Sequence, residues 1–302
     1  MIIDIHAHAA AFPKLKCEID NKKWLQLSGD ELIQIMDLQG VAKAVLLPSC
    51  NAESTFGVQS IGEILYICEK YPGRFIPFCN IDPRLARNPN MVTEKDFEFL
   101  LDQYVALGCK GVGEMMARIS WNHPLMVKLL KACNKFRLPF TFHTITEDID
   151  SYGVLDEIGL GLLEGTLREF SDIKFFGHSQ CFWSEISGDI KNLSEKKGYP
   201  NTPVKPGGRV PELMRKYQNL YGDLSAGSGL NSLKRDLSHA YEFLDEFQDK
   251  LMLGLDNCLS GETPLEHIHW FKSILEQGRI SHAIYEKIMW KNANRLLELG
   301  LE

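Results

Sequence analysis

The sequence predicts a single-domain (β/α)8 barrel, on three observations. Eight short apolar runs are interleaved with longer amphipathic stretches. The runs are continuously apolar, as in parallel strands buried on both faces. At 302 residues the chain is slightly longer than the ~250 typical of such barrels. The main rival, an open doubly wound sheet, would carry a Gly-rich phosphate turn after its first strand. Here that strand ends in histidines.

The strands are expected at 2–6 (IIDIH), 43–48 (KAVLLP), 74–81 (RFIPFCNI), 110–115 (KGVGEM), 139–144 (PFTFHT), 173–178 (IKFFGH), 219–225 (NLYGDLS) and 251–256 (LMLGLD). The helix at 30–40 starts on acids suited to a helix N-terminus and stops at Gly40. Those at 61–73 and 95–108 are closed in the same way, by Pro-Gly and by Gly. The helix at 123–136 has Pro124 in its first turn, where the missing N–H costs nothing. Further helices are expected at 210–218, 239–247, 264–278 and 283–299. The stretch 180–208, rich in Lys, Pro and Gly, is the candidate lid.

Composition narrows the function. A net charge of −7 weighs against nucleic acid or an anionic membrane as partner, since both need clustered positive charge. It leaves room for a small-molecule substrate. No apolar stretch approaches the length of a membrane span, and no leader pattern precedes the strand that begins at Ile2. The eight cysteines are scattered, without a C-x-x-C pair, as expected of reduced thiols in a cytoplasmic protein.

Barrel enzymes draw their sites from the C-terminal ends of the strands. Those ends carry His6 with His8 just beyond, Glu114, His143, His178 and Asp256. Each is a metal ligand or a proton carrier by type. Residues two apart in an extended chain point the same way, so His6 and His8 can grip one cation. His267 and His269 have the same spacing in a helical segment, where such residues diverge, and are read as ordinary helix residues. His239 and His282 also fall on helices, and His123 stands where a helix cap belongs. A lone histidine at a strand end is usually structural. Six ligand-type residues on five strand ends have the pattern that metal catalysis needs.

The ordered set DIHAH at the start, FHT around His143, FFGHS around His178, GDLS at 222–225, GLDN around Asp256 and NANRLL at 292–297 resembles the amidohydrolase superfamily, and within it the amidohydrolase-related branch. The likeness runs from residue 2 to about residue 297. It implies a metal-bearing barrel in which His6, His8, His143 and Asp256 are ligands. His178 would bind a second ion or polarise the substrate. The GVGEM context of Glu114 is similar to that of the TatD-like deoxyribonucleases, where a strand-four glutamate bridges two metals. Lys110 lies too far back on that strand to bridge as a carboxylated lysine.

The resemblance thus implies a hydrolase acting on an amide, ester or lactone of a small, carboxylated substrate. Zinc suits the mixed nitrogen and oxygen donors, in one or two ions, and manganese, iron or cobalt also fit. Asp256 would take up and hand on the proton of the attacking water, and His178 would steady the developing charge. The alternatives are a metal-dependent decarboxylase of an unsaturated or aromatic acid, a TatD-like phosphodiesterase and an inactive binding scaffold. A homodimer is the family-level expectation. Residues placed to meet substrate are Arg118, Ser179, Trp183, Lys205, Arg209, Ser225 and Asn257. Cys50, Cys181 and Cys258 follow strand ends without any sign of a thiolate.

Overall fold

All eight expected strands form in the computed structural model, which describes residues 1–12, 16–19, 22–54, 59–85, 89–261 and 266–302. They are β1 (Ile3–Ala7), β2 (Lys43–Leu46), β3 (Phe75–Pro77), β4 (Val112–Met115), β5 (Phe140–Ile145), β6 (Phe175–His178), β7 (Leu220–Asp223) and β8 (Leu251–Met252). Each pairs in parallel with its sequence neighbour, in two runs: β1–β2–β3 and β4–β5–β6–β7–β8.

Backbone hydrogen bonds join the runs into a closed barrel. Between β3 and β4, Cys79 N–H donates to Gly111 O at 2.9 Å and Gly113 N–H to Cys79 O at 2.8 Å. Between β8 and β1, Ile5 N–H donates to Leu253 O at 3.0 Å and Asp256 N–H to His6 O at 2.7 Å. Closure leaves the eight-stranded sheet without an open edge. One apolar cluster draws Ile3, Ile5, Val45, Leu47, Ile76, Phe78, Phe176 and Met252 together with Leu296 and Leu297 near the chain end. The larger core packs the strands against the surrounding helices.

The helix at Gly29–Gln39 begins on a Ser28/Glu31 capping box and stops at Gly40, whose φ of 75° suits glycine. A Ser60/Glu63 box starts Ile61–Lys70 in the same way. Pro124 opens Pro124–Phe136 behind an N-cap made by His123, whose Nδ1 accepts from Leu125 N–H at 3.2 Å. The expected helix at 264–278 appears as His267–Glu276, its first residues lying outside those described.

Several elements differ from expectation. β8 is shorter because a side chain takes over its ladder: Asp4 Oδ1 accepts from Leu255 N–H at 2.9 Å and from His6 N–H at 3.0 Å. A helix at Gly161–Glu169 supplies the β5–β6 crossover. Its glycines hid it in the sequence. An antiparallel hairpin, Lys16–Ile19 with Lys22–Leu25, follows β1. A helix at Ala226–Lys234 follows β7. The candidate lid at 180–208 opens with a helix, Gln180–Trp183, whose Cys181, Phe182 and Trp183 are core residues. Its second short helix, Leu193–Lys196, ends in a fully buried Lys196 held by Glu185 at 2.5 Å. The polar composition of this stretch thus includes one internal ion pair, while most of 188–207 is exposed.

Candidate metal centre

The six ligand-type residues named from strand ends converge. His6 Nε2 and His8 Nε2 lie 3.2 Å apart. Glu114 Oε2 is 3.4 Å from the first and 3.3 Å from the second. Asp256 Oδ1 is 3.6 Å from each. Neighbouring ligand atoms ~2.0–2.1 Å from one tetrahedral ion are separated by about 3.3–3.4 Å. His6 Nε2, His8 Nε2 and Glu114 Oε2 are therefore spaced like three ligands of a single cation, and Asp256 Oδ1 approaches the same two nitrogens.

The other oxygen of Glu114 faces a second group. Oε1 accepts from His143 Nδ1 at 2.9 Å and lies 3.7 Å from His178 Nε2. Asp256 Oδ2 is 3.9 Å from that same His178 nitrogen. Three overlapping triads result: His6, His8 and Glu114; His6, His178 and Asp256; Glu114, His143 and His178.

Local backbone shape produces this aim. The register of β1 shifts between Asp4 and Ala7, and that of β4 between Val112 and Met115. Such irregularities re-aim side chains beside sites. Asp256 has φ 58°, a costly conformation for a non-glycine residue and common at functional positions. Gly254 allows the strands to close in, because a Cβ there would meet Asp223 Oδ1 at 2.4 Å and Ser225 Cβ at 2.6 Å.

A surrounding layer sets the imidazole tautomers. His6 Nδ1 donates to Asp223 Oδ2 at 2.6 Å, and His8 Nδ1 to Leu47 O at 2.8 Å. The two Nε2 atoms thereby face each other 3.2 Å apart, an arrangement that a shared proton or a bound metal ion satisfies. Ser225 Oγ stands 2.8 Å from His178 Nδ1. His143 Nε2 is buried without a hydrogen-bond partner.

The electrostatics agree. Burial opposes charge on His6, yet Asp223, Asp256 and Glu114 hold its pKa well above the ordinary value. Burial also works against the Glu114 carboxylate, but His143, His6 and His8 hold it well below the usual range. His178 is pushed down to about 3, by burial first and then by His6, and stays neutral. Burial, reinforced by Glu114 and Asp223, raises Asp256 against the pull of His6 and His8. The cradle thus demands positive charge, and its donors fit a divalent metal. The Asp256 side chain is 22 % exposed, against 8 % or less for His6, His8, Glu114, His143 and His178. It is the member open to an incoming molecule.

Most residues nominated to meet substrate are engaged elsewhere. Arg118 donates to Glu147 O, Ile149 O and Ser151 O at 2.6–2.8 Å, fastening a loop. Arg209 pairs with Glu164 and Glu212. Trp183 is buried, and its Nε1 donates to Asp223 O at 2.8 Å. Ser179 Oγ donates to Thr144 O at 2.9 Å and caps the helix that follows. Lys205 is exposed, and its backbone N–H donates to Ser187 Oγ. Ser225 does reach the site, through His178. Asn257 follows Asp256 and has a buried Nδ2 without a partner. Burial pushes the Cys181 thiol up to about 11, which removes it as a thiolate. His267 is a buried core residue whose Nε2 donates to Leu224 O at 2.9 Å, while its Nδ1 has no hydrogen-bond partner.

Strand-end reading missed Asp4, Asp223 and Tyr152. The Tyr152 ring centroid lies 4.6 Å from that of His143. Asp223 stands at a strand end and was open to discovery there.

Comparison with known proteins supports the fold. No family model matches the sequence, and no curated protein matches it. Solved structures do. An uncharacterized TIM-barrel protein from Bordetella bronchiseptica superposes with a TM-score of 0.64 at 16% identity, covering 98% of both chains. A probable 2-pyrone-4,6-dicarboxylic acid hydrolase from Acinetobacter baumannii, with citric acid bound, gives 0.58 at 16%, covering 98% of this chain and 99% of its own. A 2,6-dihydroxybenzoate decarboxylase from Rhizobium gives 0.60 at 15%, over 99% and 98%. The chain is a TIM barrel of one domain, similar in fold to hydrolases and decarboxylases.

Proposed function

We propose that this chain is a metal-dependent hydrolase of the amidohydrolase superfamily, acting on an amide, ester or lactone of a small carboxylated substrate. The observation that carries the reading is the cradle in which Glu114 and Asp256 each place a carboxylate oxygen 3.3–3.6 Å from the paired Nε2 atoms of His6 and His8, with both histidines held from behind. Glu114 faces both groups of ligands, which favours two ions sharing one carboxylate, as the TatD-like sequence context suggests. Zinc is the first choice of metal for these donors. A divalent ion bound there supplies a Lewis acid and a water whose pKa falls towards ~7.

The chain's own groups then have separate tasks. Asp256, the exposed carboxylate, accepts the proton of the attacking water and returns it to the leaving group. His178, neutral and oriented by Ser225, is placed to stabilise charge on the attacked oxygen. The names of the similar structures, a dicarboxylic acid hydrolase and a dihydroxybenzoate decarboxylase, support a small carboxylated substrate. The likeness to the decarboxylase favours a second reading, loss of CO₂ from an aromatic acid.

A panel of carboxylated lactones, amides and aromatic acids, followed by mass spectrometry and CO₂ detection, tests the choice. Hydrolysis without CO₂ is expected. CO₂ release from an aromatic acid without hydrolysis would replace this reading with the second.

A further inference from the structure

Two buried asparagines outside the ligand set hold Glu114 in place. Asn80, just beyond β3, and Asn51, in the loop after β2, are each 2 % exposed. Asn80 Nδ2 donates to Glu114 O at 2.5 Å and to Asn51 Oδ1 at 3.0 Å. Asn51 Oδ1 also accepts from Met116 N–H at 2.9 Å. Asn51 Nδ2 touches Met115 Sδ at 3.7 Å. The pair therefore engages three consecutive residues, Glu114 to Met116, where the β4–β5 register is irregular. With its ladder interrupted, this stretch of strand takes its orientation from side chains instead. The direction of the Asn80 amide is fixed, since its NH₂ faces only acceptors.

We propose that Asn51 and Asn80 are positioning residues that clamp the backbone of Glu114 so that its two carboxylate oxygens face the two ligand groups. This rests on the reading of Glu114 as the shared ligand. Neither asparagine touches the reacting atoms; both act through Glu114.

The test is calorimetric titration of zinc into the metal-free protein, with unfolding midpoints of the metal-free variants measured alongside. Wild type is expected to bind two ions and Glu114→Gln one. Asn80→Asp, of equal size but without the donor, is expected to keep the first ion and bind the second ~10–100-fold more weakly. Should Asn80→Asp not fold, Asn51→Ala takes its place, with the same weakening expected. If Glu114→Gln matches wild type, the shared-carboxylate reading falls. If Glu114→Gln loses an ion while Asn80→Asp or Asn51→Ala binds both with wild-type affinity, the clamp falls and Glu114 stands.

Discussion

His6 shows how much one residue depends on distant partners. Its Nε2 faces the cradle only because its Nδ1 donates to Asp223, on β7, at 2.6 Å. Replacing Asp223 with Asn should weaken zinc binding by ~10–100-fold with the barrel intact, as read by titration against a competing chelator. Unchanged affinity would remove Asp223 from that role. Asp256 has a different task. Asp256→Asn should preserve the circular dichroism spectrum and lower kcat by ~10²–10⁴-fold, and near-normal turnover would refute it as proton carrier. The ligand-type residues were legible because each stands at the end of an apolar run. The layer behind them was not, because its contacts span distances such as the 217 residues between His6 and Asp223. The arginines misled for the opposite reason: position along the chain says nothing about which carbonyls or carboxylates will claim a guanidinium.

At the scale of elements, close packing decides whether the cradle forms. Gly254 lets Asp223 and Ser225 approach the strand that leads to Asp256. Gly254→Ala should cost ~1–3 kcal/mol of stability, measured by urea unfolding, and weaken metal binding as well. A loss of stability with full zinc affinity would show that the strand gives way elsewhere. Glu164 links the helix Gly161–Glu169 to Arg209, Lys216 and Tyr217. Lys216 first, then Tyr217 and Arg209, lower its pKa from 4.5 to about 2, against burial. A carboxylate depressed on folding stabilises above its unfolded pKa, and that stability is lost as pH falls through the folded value. Unfolding midpoints should therefore drop between pH 4.5 and about 2, and less steeply in Glu164→Gln. Equal slopes would show that the link carries no pH-dependent stability. The eight strands were readable because burial on both faces makes them uniformly apolar. Gly161–Glu169, with two glycines, and the 180–208 segment, with its buried ion pair, broke that correspondence between composition and place.

For the whole molecule, the cradle and the barrel are one structure. His6 lies on β1 and Asp256 follows β8, so they meet only when the seam between those strands closes. An ion bound there should therefore stabilise the closed barrel, by ~2.7 kcal/mol at a concentration of 100 Kd. Zinc should raise the unfolding midpoint of the chelated protein, and the His6→Ala/His8→Ala variant should not respond. Among the described residues no helix is long and apolar enough to cross a membrane. The most direct test of the central claim is anomalous diffraction at the zinc edge from crystals of the zinc-loaded protein. The account predicts a peak bounded by His6 Nε2, His8 Nε2, Glu114 and Asp256. Full zinc loading with that position empty and the peak elsewhere would contradict it.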